Sequence, residues 1–497
     1  MSNDPASWGL AGKSTSSVAP PSRLYRGLRA VIRVALRAFY RTVEVTGREN
    51  LGAVGHEHPT ILASTHPNSI VDPLLLGILE QRQVTFCARD GLFKIPVFGR
   101  ILKSIGAVPI ARPEDKEKPA AGGAGGDAAG KPKADNSQAF AAARAVLVQK
   151  GVISIFPEGK THDNLRVHRL RTGAARIALD AESQNGWGLG VGIVPVALNY
   201  LVRQAFRSDV HVAFGPPIPV ADLRPQFEAD PKAAARALTD RIEEALRDLS
   251  VHVEAVEDER IIAQITSIIV DIRREAGLDQ SGQSPAERTG LVRRIVDAYR
   301  WYQQVEPEKT AEIRRRLQRF LEERQELGLG GESAALQHRS EGGSRFADRR
   351  RFIIGAAPFA LWGLANSAAP YLALRLVLAF APLRKDRMAL AKILIGAGLF
   401  LGAWGVQTAL VAGLFPAPWG ALAAAAYAVS LPPTALVGLR WVTEARLHRL
   451  SRGGLKALLK HGDRIEALKR EKEELKAELA ALRDRYLART ADGTANG

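Results

Sequence analysis

One cysteine, Cys87, and two methionines are the only sulfur-bearing residues in the 497-residue chain. A lone thiol excludes an intrachain disulfide framework and every multi-cysteine zinc motif, which suits a reducing compartment. Within VTFCARD, Cys87 reads as a buried apolar side chain. No basic n-region followed by an apolar h-region opens the sequence. Residues 1–23, MSNDPASWGLAGKSTSSVAPPSR, are mostly polar and rich in Gly, Pro and Ser, so disorder is predicted there and secretion is not expected. HExxH is absent, and His56, His58, His162 and His168 lack any comparable ligand spacing, so no metal site is expected. GxSxG is absent as well, which removes the usual elbow for a serine acyl-enzyme.

Basic residues are plentiful: 69 Lys and Arg against 52 Asp and Glu give a net charge of +17. Such a balance suits acidic partners, namely nucleic acid, anionic lipid surfaces or phosphorylated substrates. No recognised nucleic-acid motif accompanies the charge, so nucleic acid is not an expected partner. From Leu24 onward, Leu28, Val31, Ile32, Ala35, Leu36 and Phe39 form one helical stripe, with Arg26, Arg29, Arg33, Arg37 and Arg41 largely off it. The pattern fits an interfacial membrane helix or an ordinary packed surface helix. Beyond it, the strand-like runs TILAST, QVTFCAR, AVPIAR, GVISIFPEG, GIVPVALNY and VHVAFGPPI alternate with helical patterns. That alternation predicts an α/β domain over residues 24–250, its mixed sheet flanked by helices. Residues 113–136, low in complexity and rich in Gly, Ala and Lys, read as a flexible insertion. CARDGLFKIPVFGRIL, residues 87–102, reads either as a membrane-facing entry for acyl chains with basic anchors or as a core helix with exposed lysines.

Residues 251–345 read as a helical extension and linker, and residues 352–441 as a membrane region. Phe352–Leu374 carries no charge, and Ile393–Leu439 is an uncharged run about twice the length of one spanning helix, divided at Pro416-Ala417-Pro418. Arg349–Arg351, the cluster Arg384, Lys385, Arg387 and Lys392, and the cluster Arg440, Arg446 and Arg449 all come to the cytoplasmic face if residues 352–383, with Pro358, Pro370 and Pro382, form a re-entrant or interfacial hairpin before two spans. Residues 455–487 predict a short coiled coil with Ile465, Leu479 and Tyr486 at a positions, Leu468, Leu475 and Leu482 at d, and Lys472 interrupting one a position. Self-association and intramolecular packing are both open to it.

Chemistry gathers in STHPNSIVDP. His66 and Asp72 lie at the end of a predicted strand, where α/β sheets place their sites. An imidazole with an unperturbed pKa of roughly 6.5 can take and return a hydroxyl proton at neutral pH. A carboxylate on its far nitrogen fixes the tautomer and stabilises the imidazolium. Asp72 also fits a helix cap before LLLGIL, and His66 an incidental loop position. Downstream, Arg112 ends GAVPIAR, while Glu158, Gly159, Lys160 and Thr161 stand at a strand-to-helix corner and Arg171 before the next helix. Arginine forks match phosphate oxygens, and a glycine corner lets backbone N–H groups approach an anion. Pro195 lies in the buried strand IVPVALNY, suited to a pocket wall.

The ordered set His66–Asp72, GAVPIAR, FPEG and IVPVALNY resembles the four blocks of the phospholipid/glycerol acyltransferase family over residues 24–220. By that resemblance His66 is the base and Asp72 its partner, Arg112 and Glu158–Lys160 bind the phosphorylated acceptor, and Pro195 belongs to the pocket. Five residues separate His66 from Asp72 where the common pattern has four. The longer form is similar to the fungal-type glycerol-3-phosphate and dihydroxyacetone-phosphate acyltransferases, which also carry C-terminal membrane segments. Lys-Thr-His-Asp after FPEG departs from the Thr-Arg or Ser of many relatives, leaving the roles beyond Gly159 open. The expected activity is acyl transfer from acyl-CoA or acyl carrier protein, as co-substrate, to glycerol 3-phosphate or dihydroxyacetone phosphate, with no cofactor. Acylation of a lysophospholipid and a non-catalytic membrane-tethered interaction protein are the competing readings.

Overall fold

The computed structural model describes residues 21–54, 58–94, 98–110, 136–162, 164–200, 208–275, 284–327, 350–380, 385–460 and 462–494. Residues 1–20, the insertion at 113–136 up to residue 135, Arg112 and the linker at 330–344 therefore lie outside the described residues. The chain divides into two compact units, Met1–Glu259 with Ser281–Val296, and Arg260–Gln280 with Asp297–Gly497.

The first unit is built on a seven-stranded sheet: β1 (Thr42–Thr46), β2 (Thr60–Ser64), β3 (Val84–Arg89), β4 (Val108–Ile110), β5 (Val152–Ile155), β6 (Gly192–Tyr200) and β7 (Asp209–Phe214), in the order β1-β7-β6-β2-β5-β3-β4. Every pairing is parallel except β6 with β7, so the mixed sheet predicted from the alternation is present. β2 and β5 are buried at every position, as expected of parallel strands covered on both faces. β1 has no counterpart among the strand-like runs read from the sequence, which begin at TILAST. Its partner β7 lies more than 160 residues downstream, in the register Thr42↔Asp209 to Thr46↔Ala213, and the period-two alternation of Val43 and Val45 with Thr42, Glu44 and Thr46 is the local signal that marks it.

The helices of this unit are α1 (Arg23–Phe39), α2 (Glu49–Val54), α3 (Val71–Leu79), α4 (Asp90–Phe93), α5 (Phe98–Ser104), α6 (Ser137–Val148), α7 (Gly173–Gln184), α8 (Arg224–Ala229) and α9 (Pro231–Leu249). α10 (Val256–Glu275) and α11 (Pro285–Val305) contain the boundary between the units. α1 packs against α3, burying Tyr25 and Leu36 and leaving Leu24, Val31 and Val34 exposed. Two arginines cap the C-terminus of α3: Arg29 donates to the carbonyls of Ile78 and Gln81, both at 3.0 Å, and Arg48 to that of Leu79 at 2.8 Å. Cations at this end satisfy orphan carbonyls and oppose the negative end of the helix dipole. In the stretch after Cys87, Leu92 and Phe93 pack on a cluster of Tyr25, Leu102, Ile105 and Ala107, while Lys103 is exposed. Ile95–Val97 lie outside the described residues.

The second unit contains α12 (Pro307–Glu326), α13 (Ala357–Phe380), α14 (Lys385–Gly413), α15 (Trp419–Lys460) and α16 (Gly462–Thr494). Residues 357–380, 395–413 and 419–445 are each long and apolar enough to cross a membrane. Of these windows 11%, 6% and 17% lie buried within the chain, so their apolar side chains face outward, unlike those of a core helix. The chain breaks its helix between Gly413 and Trp419, at the predicted Pro416–Pro418 divide. The predicted hairpin over residues 352–383 is corrected: Ala357–Phe380 is one continuous helix with Pro370 inside it. Pro370 has no N–H to give the carbonyl of Asn366, four residues back, and Gln407 Nε2 on α14 donates to that oxygen at 3.1 Å instead. α13 and α15 run antiparallel. Trp441 Nε1 donates to the Ile353 carbonyl at 2.7 Å and Tyr427 meets Trp362 edge-on, while Gly363 lies against the Thr434 backbone carbonyl, where a Cβ would not fit. The face of α16 bearing Ile465, Leu468, Leu475, Leu479 and Leu482 is buried within the same chain, and Lys472 at the interrupted position pairs with Asp271 at 2.7 Å.

Candidate active site

β2 ends in a fully buried TILAS, and Thr65 continues its direction by donating its N–H to the Val196 carbonyl at 3.0 Å. His66 follows at the carboxyl end of the strand. The chain then turns through Ser69, at φ 47, into α3, whose first turn contains Asp72. A left-handed conformation at a residue other than glycine reverses the path within this short loop, and Asp72 points back to His66. His66 Nδ1 and Asp72 Oδ2 are 2.9 Å apart. The His66 side chain keeps 14% of its surface exposed and that of Asp72 none, so the imidazole is reachable and its partner is sealed.

Asp72 is fully hydrogen-bonded despite its burial. Oδ2 also accepts the Asn68 N–H at 2.8 Å, and Oδ1 accepts the Tyr200 hydroxyl at 2.6 Å. The carboxylate thus meets three hydrogen-bonding partners, and a proton on Nδ1 facing it leaves Nε2 as the ring nitrogen that can act as a base. On the other side, the Phe156 ring stacks on the imidazole with centroids 4.1 Å apart.

The FPEG corner holds the loop from behind. Glu158 is buried; Oε1 accepts the His66 N–H and Oε2 the His168 N–H, both at 3.2 Å. Burial pushes its carboxyl above the usual range, and the two N–H donors pull it partly back. Gly159 has φ 71, and a Cβ there would stand 2.7 Å from Arg171 Nε, so the Arg171 side chain lies against this glycine. Lys160, Arg166, Arg169 and Arg171 are exposed along the segment, a cationic rim, while Thr161 is half-buried. His162 and His168 stack at 3.5 Å, and burial, then Arg166, lowers the pKa of His168. Among the described residues no group of three His, Cys, Asp or Glu could hold a metal ion.

The structure thus brings His66, Asp72, Glu158, Gly159 and Arg171 together. Arg112 lies outside the described residues. Pro195 is buried inside β6, beside Ala63 of β2, with its carbonyl accepting the Gly215 N–H at 2.8 Å. It lies just before the β6–β7 ladder begins at Val196, a position where a missing strand N–H is tolerated. Four residues about the dyad escaped the sequence reading: Tyr40, Asn68, Phe156 and Tyr200. Asn68 and Phe156 fall inside quoted motifs and Tyr200 ends IVPVALNY, so position carried a signal but side-chain direction did not.

Residues 42–199, from the start of β1 to the penultimate residue of β6, match the family model described as Acyltransferase. An uncharacterized acyltransferase of Schizosaccharomyces pombe is 32% identical over 133 residues, 26% of this chain and 19% of that protein. Glycerol-3-phosphate O-acyltransferase 1 of Saccharomyces cerevisiae is 25% identical over 287 aligned positions, covering 43% of this chain and 37% of that protein. These alignments span well under two thirds of the length of either relative. Among solved structures, the 1-acyl-sn-glycerophosphate (LPA) acyltransferase PlsC from Thermotoga maritima aligns with a TM-score of 0.30 and 17% identity, covering 44% of this chain and 78% of that one. The His66–Asp72 pair and the FPEG corner both lie inside the matched residues 42–199.

Proposed function

We propose that the protein is a membrane-bound O-acyltransferase that moves a fatty acyl group from acyl-CoA or acyl carrier protein to glycerol 3-phosphate, with dihydroxyacetone phosphate as a close variant. The observation that carries this reading is the 2.9 Å His66–Asp72 pair beside a cationic rim. His66 Nε2 takes the acceptor hydroxyl proton as the oxygen attacks the thioester carbonyl. The tetrahedral oxyanion collapses, the C–S bond breaks, and the imidazolium returns the proton to the departing thiolate. Asp72 holds the imidazolium throughout. Lys160, Arg171 and Arg112 bind the acceptor phosphate, and no cofactor takes part. The name of the yeast relative supports the choice of acceptor.

Three apolar helices support a membrane location. Arg440 stacks on Phe352 at 4.5 Å, so the basic residues preceding α13 and those around Arg440 gather at one end of the antiparallel pair, in keeping with a shared cytoplasmic face. The deciding experiment supplies labelled acyl-CoA to purified membranes with glycerol 3-phosphate, dihydroxyacetone phosphate or lysophosphatidate. Incorporation into the first supports the proposal; incorporation into lysophosphatidate alone overturns it.

A further inference from the structure

Asp72 has a second oxygen that His66 does not use, and the fold spends a buried phenol on it. Tyr200, the last residue of β6, donates its hydroxyl to Asp72 Oδ1 at 2.6 Å from 128 positions along the chain. Its ring tilts against that of Tyr40, with centroids 5.9 Å apart, and the Tyr40 hydroxyl accepts the Asn68 side-chain N–H at 3.0 Å. Tyr40 and Asp72 have no exposed surface and Tyr200 and Asn68 very little. We propose that Tyr200 is a positioning residue of the dyad: its hydroxyl fixes the Asp72 carboxylate and draws off part of its charge, setting how firmly Asp72 holds a proton on His66.

The geometry carries this. A carboxylate held through one oxygen can rotate about its Cβ–Cγ bond; with Oδ1 tied to β6 and Oδ2 tied to the Asn68 N–H, only one orientation remains, the one that meets Nδ1. Burial, then the negative charge of Asp72, keeps the Tyr200 phenol protonated far above its ordinary range, so it stays a donor. Burial raises Tyr40 likewise. The titratable groups around His66 are Asp72 on α3, Glu158 after β5 with His168 beyond it, and these two phenols. Tyr200 supplies the donor to the carboxylate oxygen that His66 leaves unused.

The inference rests on the acyl-transfer reading for its kinetic consequence but not for its physical one. Tyr200→Phe keeps the ring packing and removes one donor. In the full-length protein in detergent, with ring-labelled histidine and His66→Ala for assignment, the His66 titration followed by NMR moves to higher pH, because the less neutralised carboxylate holds the imidazolium more tightly. In the acyl-transfer assay kcat falls about tenfold with acceptor KM within about twofold, and the acidic limb of kcat/KM moves the same way. An unmoved His66 titration in a folded Tyr200→Phe protein overturns the assignment whatever the reaction. A kcat loss that only tracks a lower folded fraction overturns it too. Full activity in His66→Ala counts against acyl transfer by the dyad instead.

Discussion

The backbone N–H of His66 donates to Oε1 of Glu158 at 3.2 Å, across 92 positions of chain. With its other oxygen on the His168 N–H, this carboxylate braces two loops. The resemblance assigns it to the acceptor, whereas its geometry gives it backbone partners. Glu158→Gln presents one acceptor oxygen and an NH2 group where two N–H donors arrive, so one bond is lost. The expected result is a kcat reduced about tenfold and a lower melting temperature, with acceptor KM little changed. A raised acceptor KM at constant kcat would give Glu158 back its ligand role.

His66→Ala should abolish acyl transfer while leaving the far-UV circular dichroism unchanged, since the imidazole supports little of the core. Asp72→Asn should lower kcat by roughly 10³-fold or more, because the amide cannot keep the same tautomer and charge on the ring. Residual rates within about tenfold of wild type in both variants would remove the dyad from the chemistry.

Gly159→Ala places a methyl where the Arg171 side chain lies and strains a left-handed φ of 71. A destabilisation of about 1–2 kcal/mol is expected, with a several-fold higher acceptor KM as Arg171 moves. Lys160→Ala, Arg171→Ala and Arg112→Ala should raise acceptor KM with smaller effects on kcat. Arg112 is tested on the resemblance alone, and an unchanged KM would remove it from the acceptor site.

His211 is buried in β7 opposite Glu44 of β1, with Nε2 2.8 Å from Thr46 Oγ1. Burial lowers its pKa below the ordinary 6.5, with Glu44 opposing and Arg293 adding to the shift. A group whose folded value is depressed stabilises the fold above its unfolded value and loses that contribution as pH falls through the folded value. The melting temperature of wild type relative to His211→Gln should therefore drop as pH is lowered below about 6.5. A difference that is flat between about pH 8 and pH 5 would contradict the buried neutral ring.

Arg351→Cys and Arg440→Cys, each in a Cys87→Ala background, should react with an impermeant maleimide from the same side of sealed vesicles. The antiparallel pairing of α13 with α15 demands it. Labelling from opposite sides would mean that these helices do not both span the bilayer in this arrangement.

The strands of the sheet other than β1, the apolar C-terminal region and the pair of residues most suited to proton transfer were all legible in the sequence, because each is written locally. Period-two or continuous apolar runs declare β2, β5 and β6, and absence of charge over some twenty residues declares a span. Even Pro416–Pro418 announced its break. Folding decided what depends on distant partners. TVEVT takes its place and register in the sheet only because β7 offers it an edge. Pro370 stays inside a helix only because Gln407 takes the carbonyl it strands. The second oxygen of Asp72 finds its partner only because Tyr200 arrives at the end of β6. Hydrophobic periodicity is a property of neighbours along the chain; the satisfaction of a buried polar group is a property of neighbours in space, and no one-dimensional pattern records it.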